Sequence, residues 1–396
     1  MKHLIKIAFI HNENGYNDKG IGQGITQYIR SKGRFQLIAW PDTSEESLAF
    51  LKKQGCQGAI ASITTTSKAN QLSQLGIPIV AYSTLQNMGN LPYISTDSKR
   101  VAKMAYDYLS EKQFKHFAFF GLTEARWSME RLRYFSDFVS QSGHTLYVFQ
   151  GKPLHMPKNL ISFAKLWTDT AVKQGQQDLI KWLEELPKPI AVLVSCDILG
   201  CHLSQVVSET GLSIPDDLAI LGIDNNDALC NICSPPLSSI ALNLNKAGYD
   251  AAELLDLIIS GKKQLNGQQI NLQPIQVKER ASTDIYAIDD PDVLKALKYI
   301  RTHNHEPMQV DDIAKHICIS KRSLQLKFHQ ILNTSIHGAI VHAHFNIARQ
   351  LLLETDLSIE DIAIRAGFNY SSNMRRAFQD IAGLLPQKYR QLHRIP

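Results

Sequence analysis

The chain has 396 residues, 44% of them hydrophobic and 20% charged, with a net charge of +5. At about 100–200 residues per domain this length holds two or three domains, and the composition excludes a disordered, fibrous or membrane-embedded chain. The charge is unevenly placed: from Ser320 onward ten Lys/Arg face five Asp/Glu, while the 319 residues before it balance at 32 against 32, which points to nucleic-acid contact by the tail.

The start, MKHLIKIAFIHNENGY, has too short an apolar run for a secretion signal and no small-residue cleavage site. Nowhere do the roughly 18 consecutive apolar residues of a membrane span occur, so a cytoplasmic protein without membrane contact is expected. Six scattered Cys read as reduced, buried thiols rather than a disulfide framework.

From Leu4–Ile10 onward, short apolar runs of strand length recur. They fall at Phe35–Trp40, Gly58–Ser62, Ile77–Tyr82, His116–Gly121, His144–Gln150, Ile190–Ser195 and Leu218–Ile223. Helical spacing separates most of them, at Ile21–Ile29, Ser98–Glu111, Met129–Gln141, Gln176–Glu185, Leu199–Glu209 and Lys246–Ser260. Strands alternating with helices build parallel βαβ units, and two sets of them build two doubly wound lobes. This α/β part is expected over residues 1–280, with a linker at 281–290. Asp289-Asp290-Pro291 then starts the first helix of an all-α domain over 291–396.

That domain holds two helix-turn-helix patterns, at 310–332 and 358–382. In the first, Ile313, Ala314 and Ile317 form an apolar stripe, Cys318–Ser320 a turn with Ser320 as helix cap, and Leu324 and Phe328 the inner face of the next helix. In the second, Ile362, Ala363, Ala366 and Phe368 face a core, while Ser371, Ser372, Arg375 and Arg376 open a helix with groups that reach outward. An exposed helix N-terminus bearing hydrogen-bonding side chains suits a DNA major groove. Ser335–Glu354 connects the motifs; about 20 residues at ~1.5 Å give ~30 Å, close to the ~34 Å of one DNA turn.

The run LLLETDLSIEDIAIRAGF at Leu351–Phe368, followed by RRAF and LLPQKYR, resembles the C-terminal signature of AraC/XylS-type transcriptional regulators. By that resemblance Arg322 and Gln325 read bases in the first motif and Lys321 meets phosphate. The chain departs from the family pattern at Cys318, where Gly is common, and at Leu326, where a polar residue is usual. The second motif, with Arg375 and Arg376, is therefore expected to hold DNA at least as firmly as the first.

Upstream, YISTD at Tyr93–Asp97, Phe117–Gly121, SCDILG at Ser195–Gly200, LGID at Leu221–Asp224, PPLSSI at Pro235–Ile240 and AGYDAAELL at Ala247–Leu255 resemble the ligand-binding core of GalR/LacI-type repressors. That core shares the fold of periplasmic sugar-binding proteins. In doubly wound sheets, ligands bind beyond the carboxyl ends of strands, and two lobes can close on them. Sugar recognition needs charged planar groups for hydroxyls and an aromatic face for the apolar side. The resemblance implies Asp224 and Arg131 as hydroxyl partners. Asp197 stands at a comparable strand end, where helix capping is the competing reading. Trp127 and Tyr16 are aromatic candidates that could equally pack the lobes, and Asn12 and Asp18 lie in the first strand–helix loop.

Other patterns carry less. Gly20-Ile-Gly22-Gln-Gly24 lacks the spacing of a dinucleotide loop, and Cys230-Asn-Ile-Cys233 is a single CxxC without a second pair. His337, His342 and His344 read as surface or packing residues of the connecting helix. No catalytic constellation is visible, so no catalytic residue, cofactor or metal is expected. The combined resemblance implies a sugar-responsive transcription activator with D-xylose as effector. It would be a homodimer on tandem operator half-sites, with RNA polymerase as a further partner. The alternatives are another sugar, or a sugar-binding protein or enzyme with an incidental basic tail.

Overall fold

The structure is a computed structural model and describes residues 4–11, 18–40, 44–63, 65–82, 90–123, 125–151, 170–288 and 290–393. The chain divides into two compact units, residues 1–109 with 115–285, and 110–114 with 286–396.

The first unit has two lobes. Lobe 1 holds strands β1 (Ile5–Ile10), β2 (Phe35–Trp40), β3 (Gly58–Ser62), β4 (Ile79–Tyr82), β5 (Tyr93–Thr96) and β11 (Gln269–Leu272). They form one parallel sheet in the order β11-β5-β4-β3-β1-β2. β3 and β4 are buried along their whole length, as expected of a parallel sheet with helices on both faces. Its helices are α1 (Asp18–Lys32), α2 (Glu45–Gln54), α3 (Thr66–Ser73) and α9 (Leu244–Ile259). α1 and α9 touch backbone to backbone: a Cβ on Gly24 would collide with the Asn245 carbonyl, and one on Gly248 with that of Ile21. The glycine run of α1 is thus a helix-packing device.

Lobe 2 holds β6 (His116–Phe120), β7 (Thr145–Val148), β8 (Ile190–Val194), β9 (Leu218–Asp224), β10 (Ser238–Leu242) and β12 (Pro274–Lys278) in the order β12-β10-β9-β8-β6-β7. All pair parallel except β12, which runs antiparallel to β10. Its helices are α4 (Ser98–Glu111), α5 (Arg126–Gln141), α6 (Thr170–Glu185), α7 (Asp197–Ser208) and α8 (Asp227–Ile232). The chain passes between lobes at Asp97 (β5 to α4), Asn243 (β10 to α9) and Gln273 (β11 to β12). Apolar runs alone miss β5, β10, β11 and β12, because these strands mix Ser, Thr, Gln and Asn with few apolar residues.

The cysteine reading needs correcting. Cys201 and Cys233 form a disulfide with Cα atoms 5.5 Å apart, and Cys318 is exposed; only Cys56, Cys196 and Cys230 are free buried thiols. The α8 segment returns Cys233 to the side of α7, a long-range contact that a separation of 32 residues does not signal.

The second unit is helical: α10 (Pro291–Thr302), α11 (Val310–His316), α12 (Lys321–Leu332), α13 (Ile336–Glu354), α14 (Ile359–Arg365), α15 (Ser371–Ala382) and α16 (Pro386–His393). Asp290 caps α10, accepting from the amides of Asp292 (2.9 Å) and Val293 (3.1 Å). Two cores form along α13. Ile336 and Ile340 join Ile313, Leu324 and Phe328 in one, and Phe345, Ala348 and Leu352 join Ile362, Met374 and Phe378 in the other. Among the described residues no helix is long and apolar enough to cross a membrane.

Candidate effector site and nucleic-acid interface

The polar residues of lobe 2 gather where β6, β8 and β9 end. β8 is wholly apolar and buried and is followed by Ser195, Cys196 and Asp197. β9 ends at Asp224, and Asn225 and Asn226 lead into α8, which Asn226 caps by accepting from the Leu229 amide at 3.1 Å. Asp224 and Asn225 adopt φ of 110° and 51°, a left-handed pair unusual outside glycine. A buried network holds them there. The Asn225 amide donates to the Ser239 hydroxyl (3.0 Å), that hydroxyl donates to Asp197 Oδ1 (2.5 Å), and the Asn226 amide donates to Asp197 Oδ2 (2.7 Å).

Arg131 comes from α5. Only 3% exposed, it donates through Nη1 to the Ser195 carbonyl, sets Nη2 3.8 Å from Asp224 Oδ1, and lies 4.8 Å over the Trp127 ring. Three buried polar atoms here find no hydrogen-bond partner among the described residues: Arg131 Nε, Ser195 Oγ and Asn225 Oδ1. Buried polar groups are normally satisfied, so donors and acceptors collected without partners make a place for a polyhydroxylated molecule. A sugar hydroxyl can donate to Asp224 while accepting from Arg131, the Trp127 ring supplying an apolar wall. Burial pushes the Asp224 carboxyl up to about 6, although the Arg131 charge pulls the other way. Burial also raises Asp197, helped by the charge of Asp224 and opposed by the hydrogen bonds from Ser239 and Asn226.

Asp224, Arg131 and Trp127 are therefore brought together. Asp197 is not at the surface of the site: it is 1% exposed with both oxygens engaged, and it props the Asp224–Asn226 loop from beneath. In lobe 1, Asp18 opens α1 and is buried, and burial together with the Asp18 charge raises the Tyr82 hydroxyl above its ordinary range. Asn12 and Tyr16 lie outside the described residues. Sequence reasoning missed Ser195, Asn225 and Ser239, which nothing in the sequence sets apart from other polar residues beside strands.

In the helical unit, Ser320 caps α12 by accepting from the Ser323 amide at 3.1 Å. With Leu324 and Phe328 fully buried, α12 turns Arg322, Gln325, Leu326 and His329 outward on one stripe. α15 buries Met374 and Phe378 and turns Ser372, Arg375, Arg376 and Gln379 outward in the same way. Ser371, at the start of α15, is half-buried. Lys321 pairs with Asp311 (2.7 Å) and Arg375 with Glu360 (3.3 Å), all exposed. Such surface pairs are worth little, so both cations can be exchanged onto phosphate or base.

Two family models match the chain: a periplasmic binding protein-like domain over residues 106–283 and a helix-turn-helix domain over 313–392. Together with the two-lobed unit and its helical tail, they define a sugar-responsive transcriptional regulator of the AraC type. Over almost its whole length the chain is similar to the xylose operon regulatory proteins. That of Haemophilus influenzae is 29% identical over 392 residues, 97% of this chain and 98% of the relative. That of Escherichia coli K12 is 28% identical over 395 residues, 98% and 97% of the two chains. A solved structure described as the xylose-binding transcription activator xylR matches with TM-score 0.58 and 26% identity over 98% of each chain. A LacI family regulator from Enterococcus faecium with bound ribose, at 21% identity and TM-score 0.53, covers 72% of this chain and all of its own, and shares the fold of the first unit.

Proposed function

We propose that the chain binds D-xylose at the ends of β6, β8 and β9 and activates xylose-utilisation genes in response. Asp224 and Arg131 take ring hydroxyls, Ser195 and Asn225 take others, and Trp127 covers an apolar face. The carrying observation is the buried Arg131, whose Nε has no partner among the described residues and whose Nη2 stops 3.8 Å short of Asp224. The relatives, named for xylose operons, supply the choice of sugar. Asp18 belongs to the opposing wall contributed by lobe 1. Sugar favours the closed arrangement of the lobes by its greater affinity for it. The response passes through a cytoplasmic homodimer to α12 and α15, which enter successive major grooves at tandem half-sites and place the protein for RNA polymerase. On DNA, Lys321, Ser371 and Ser372 position the motifs, while Arg322, Gln325, Arg375 and Arg376 read bases.

Calorimetry with D-xylose tests the site. Asp224→Ala should weaken binding by roughly 3 kcal/mol, more than a hundredfold, and leave sugar-free DNA binding unchanged. The Asp224 carboxyl is raised to about 6, so its accepting, ionised form is full above that pH and lost below it. Wild-type affinity should accordingly fall as pH drops through about 6. Normal sugar binding by Asp224→Ala would place the pocket elsewhere.

A further inference from the structure

We infer that the first recognition helix reads the C5-methyl group of a thymine through Leu326, an inference that rests on the DNA-binding role of the helical unit. Leu326 is 58% exposed, on the stripe of α12 opposite the buried Leu324 and Phe328. It adds nothing to the core beneath. Its neighbour Lys327 is turned aside, held by Asp290 (2.8 Å) and Asp292 (2.6 Å). In the second motif the matching place, one turn after the outward Ser372, is taken by Arg376.

A Leu side chain can neither donate nor accept a hydrogen bond. Set into a major groove, it would strip water from the polar edge of guanine, cytosine or adenine and give nothing back. Thymine alone offers an apolar group on that edge. The residues around Leu326 supply what a groove-reading helix needs beside such a contact: Arg322 suits guanine, and Gln325 suits adenine N6 and N7. With Gln325 adjacent in sequence and on the same stripe, the geometry assigns to this motif a step rich in A·T pairs in which one thymine methyl lies against Leu326. Recognition there is by shape and burial, in contrast to the guanidinium pair of α15.

The experiment uses the full chain, with and without saturating D-xylose. Preferred duplexes are selected from a random library for the wild type and for Leu326→Ala, and footprinting locates the half bound by the first motif. Each thymine in that half is then replaced by uracil, which removes only the methyl. One replacement should lower wild-type affinity about fourfold, the worth of burying one methyl group. Leu326→Ala should bind the thymine and uracil duplexes equally and melt at the wild-type temperature. The inference is overturned if no thymine is methyl-sensitive or if Leu326→Ala keeps the sensitivity. It is also overturned if the variant binds DNA normally yet fails to activate transcription, which would make Leu326 a protein contact. Failure of the wild type to select any sequence would instead sink the DNA-reading role itself.

Discussion

In α12 the inward residues are Leu324 and Phe328; fifty positions later, in α15, they are Met374 and Phe378, and all four are fully buried. Along the outward stripes Arg322 stands against Ser372, Gln325 against Arg375, Leu326 against Arg376 and His329 against Gln379. The turns before them differ as well: Cys318 holds a φ of 61° where the second motif has Gly367 at 81°. The inner faces repeat because each must fill a core of similar shape against α13. The outer faces fill no core and have diverged, one toward guanidinium groups and the other toward a mixed apolar and amide surface. Fold and the proposed base reading are thus written on opposite sides of one helix, and either can change without the other.

The largest effects should come from the shared inner face. Phe328→Ala and Phe378→Ala should each cost about 3–5 kcal/mol, the usual loss for truncating a buried aromatic. Because the two residues sit in separate cores along α13, hydrogen exchange should lose protection in Val310–Leu332 for the first variant and in Ile359–Ala382 for the second. If either change strips both segments, the motifs fold as one unit and the comparison of two modules fails.

Gly367→Ala sharpens the contrast between the turns. A Cβ at Gly367 would lie 2.6 Å from His344 Nε2 and 2.8 Å from the Glu306 carbonyl, and the left-handed backbone adds about 1–2 kcal/mol for any residue with a Cβ. A loss of about 2–4 kcal/mol is expected by calorimetric melting. His344 is buried and hydrogen-bonded to that same carbonyl at 3.1 Å, so it has little room to yield. A loss below 1 kcal/mol would mean that the second turn is no tighter than the first.

Most of this architecture is legible in the sequence, for a physical reason. A strand buried on both faces must be an apolar run, so Gly58–Ser62 is found at its observed bounds. Edge and crossover strands such as Gln269–Leu272 escape, because a half-exposed strand needs few apolar residues. The candidate effector site is legible only in part. Asp224 and Arg131 stand out by charge and by position after strands. The difference between Asp224 and Asp197 is not visible, because both are carboxylates at strand ends. Only the folded chain shows Asp197 committed to the Asn226 amide and Ser239. Ser195 and Asn225 are too common in loops to be noticed before atoms of theirs without a partner among the described residues are seen in a buried place. The disulfide between Cys201 and Cys233 is likewise a fact of tertiary contact.

The smallest expected effect tests whether the first turn carries removable strain. Cys318 is a free, exposed cysteine in the left-handed region, a conformation costing roughly 1–2 kcal/mol with a Cβ and almost nothing without one. Cys318→Gly removes that cost but also loosens the unfolded chain, which returns about 0.5–1 kcal/mol. The net should be a gain of about 0.5–1 kcal/mol, seen as a higher urea midpoint with an unchanged slope. DNA affinity should not move, because residue 318 lies in the turn, off the stripe of Arg322, Gln325, Leu326 and His329. A lower midpoint would mean that the thiol makes a packing contribution larger than the strain it imposes, and the first turn would then be adapted to cysteine as the second is to glycine.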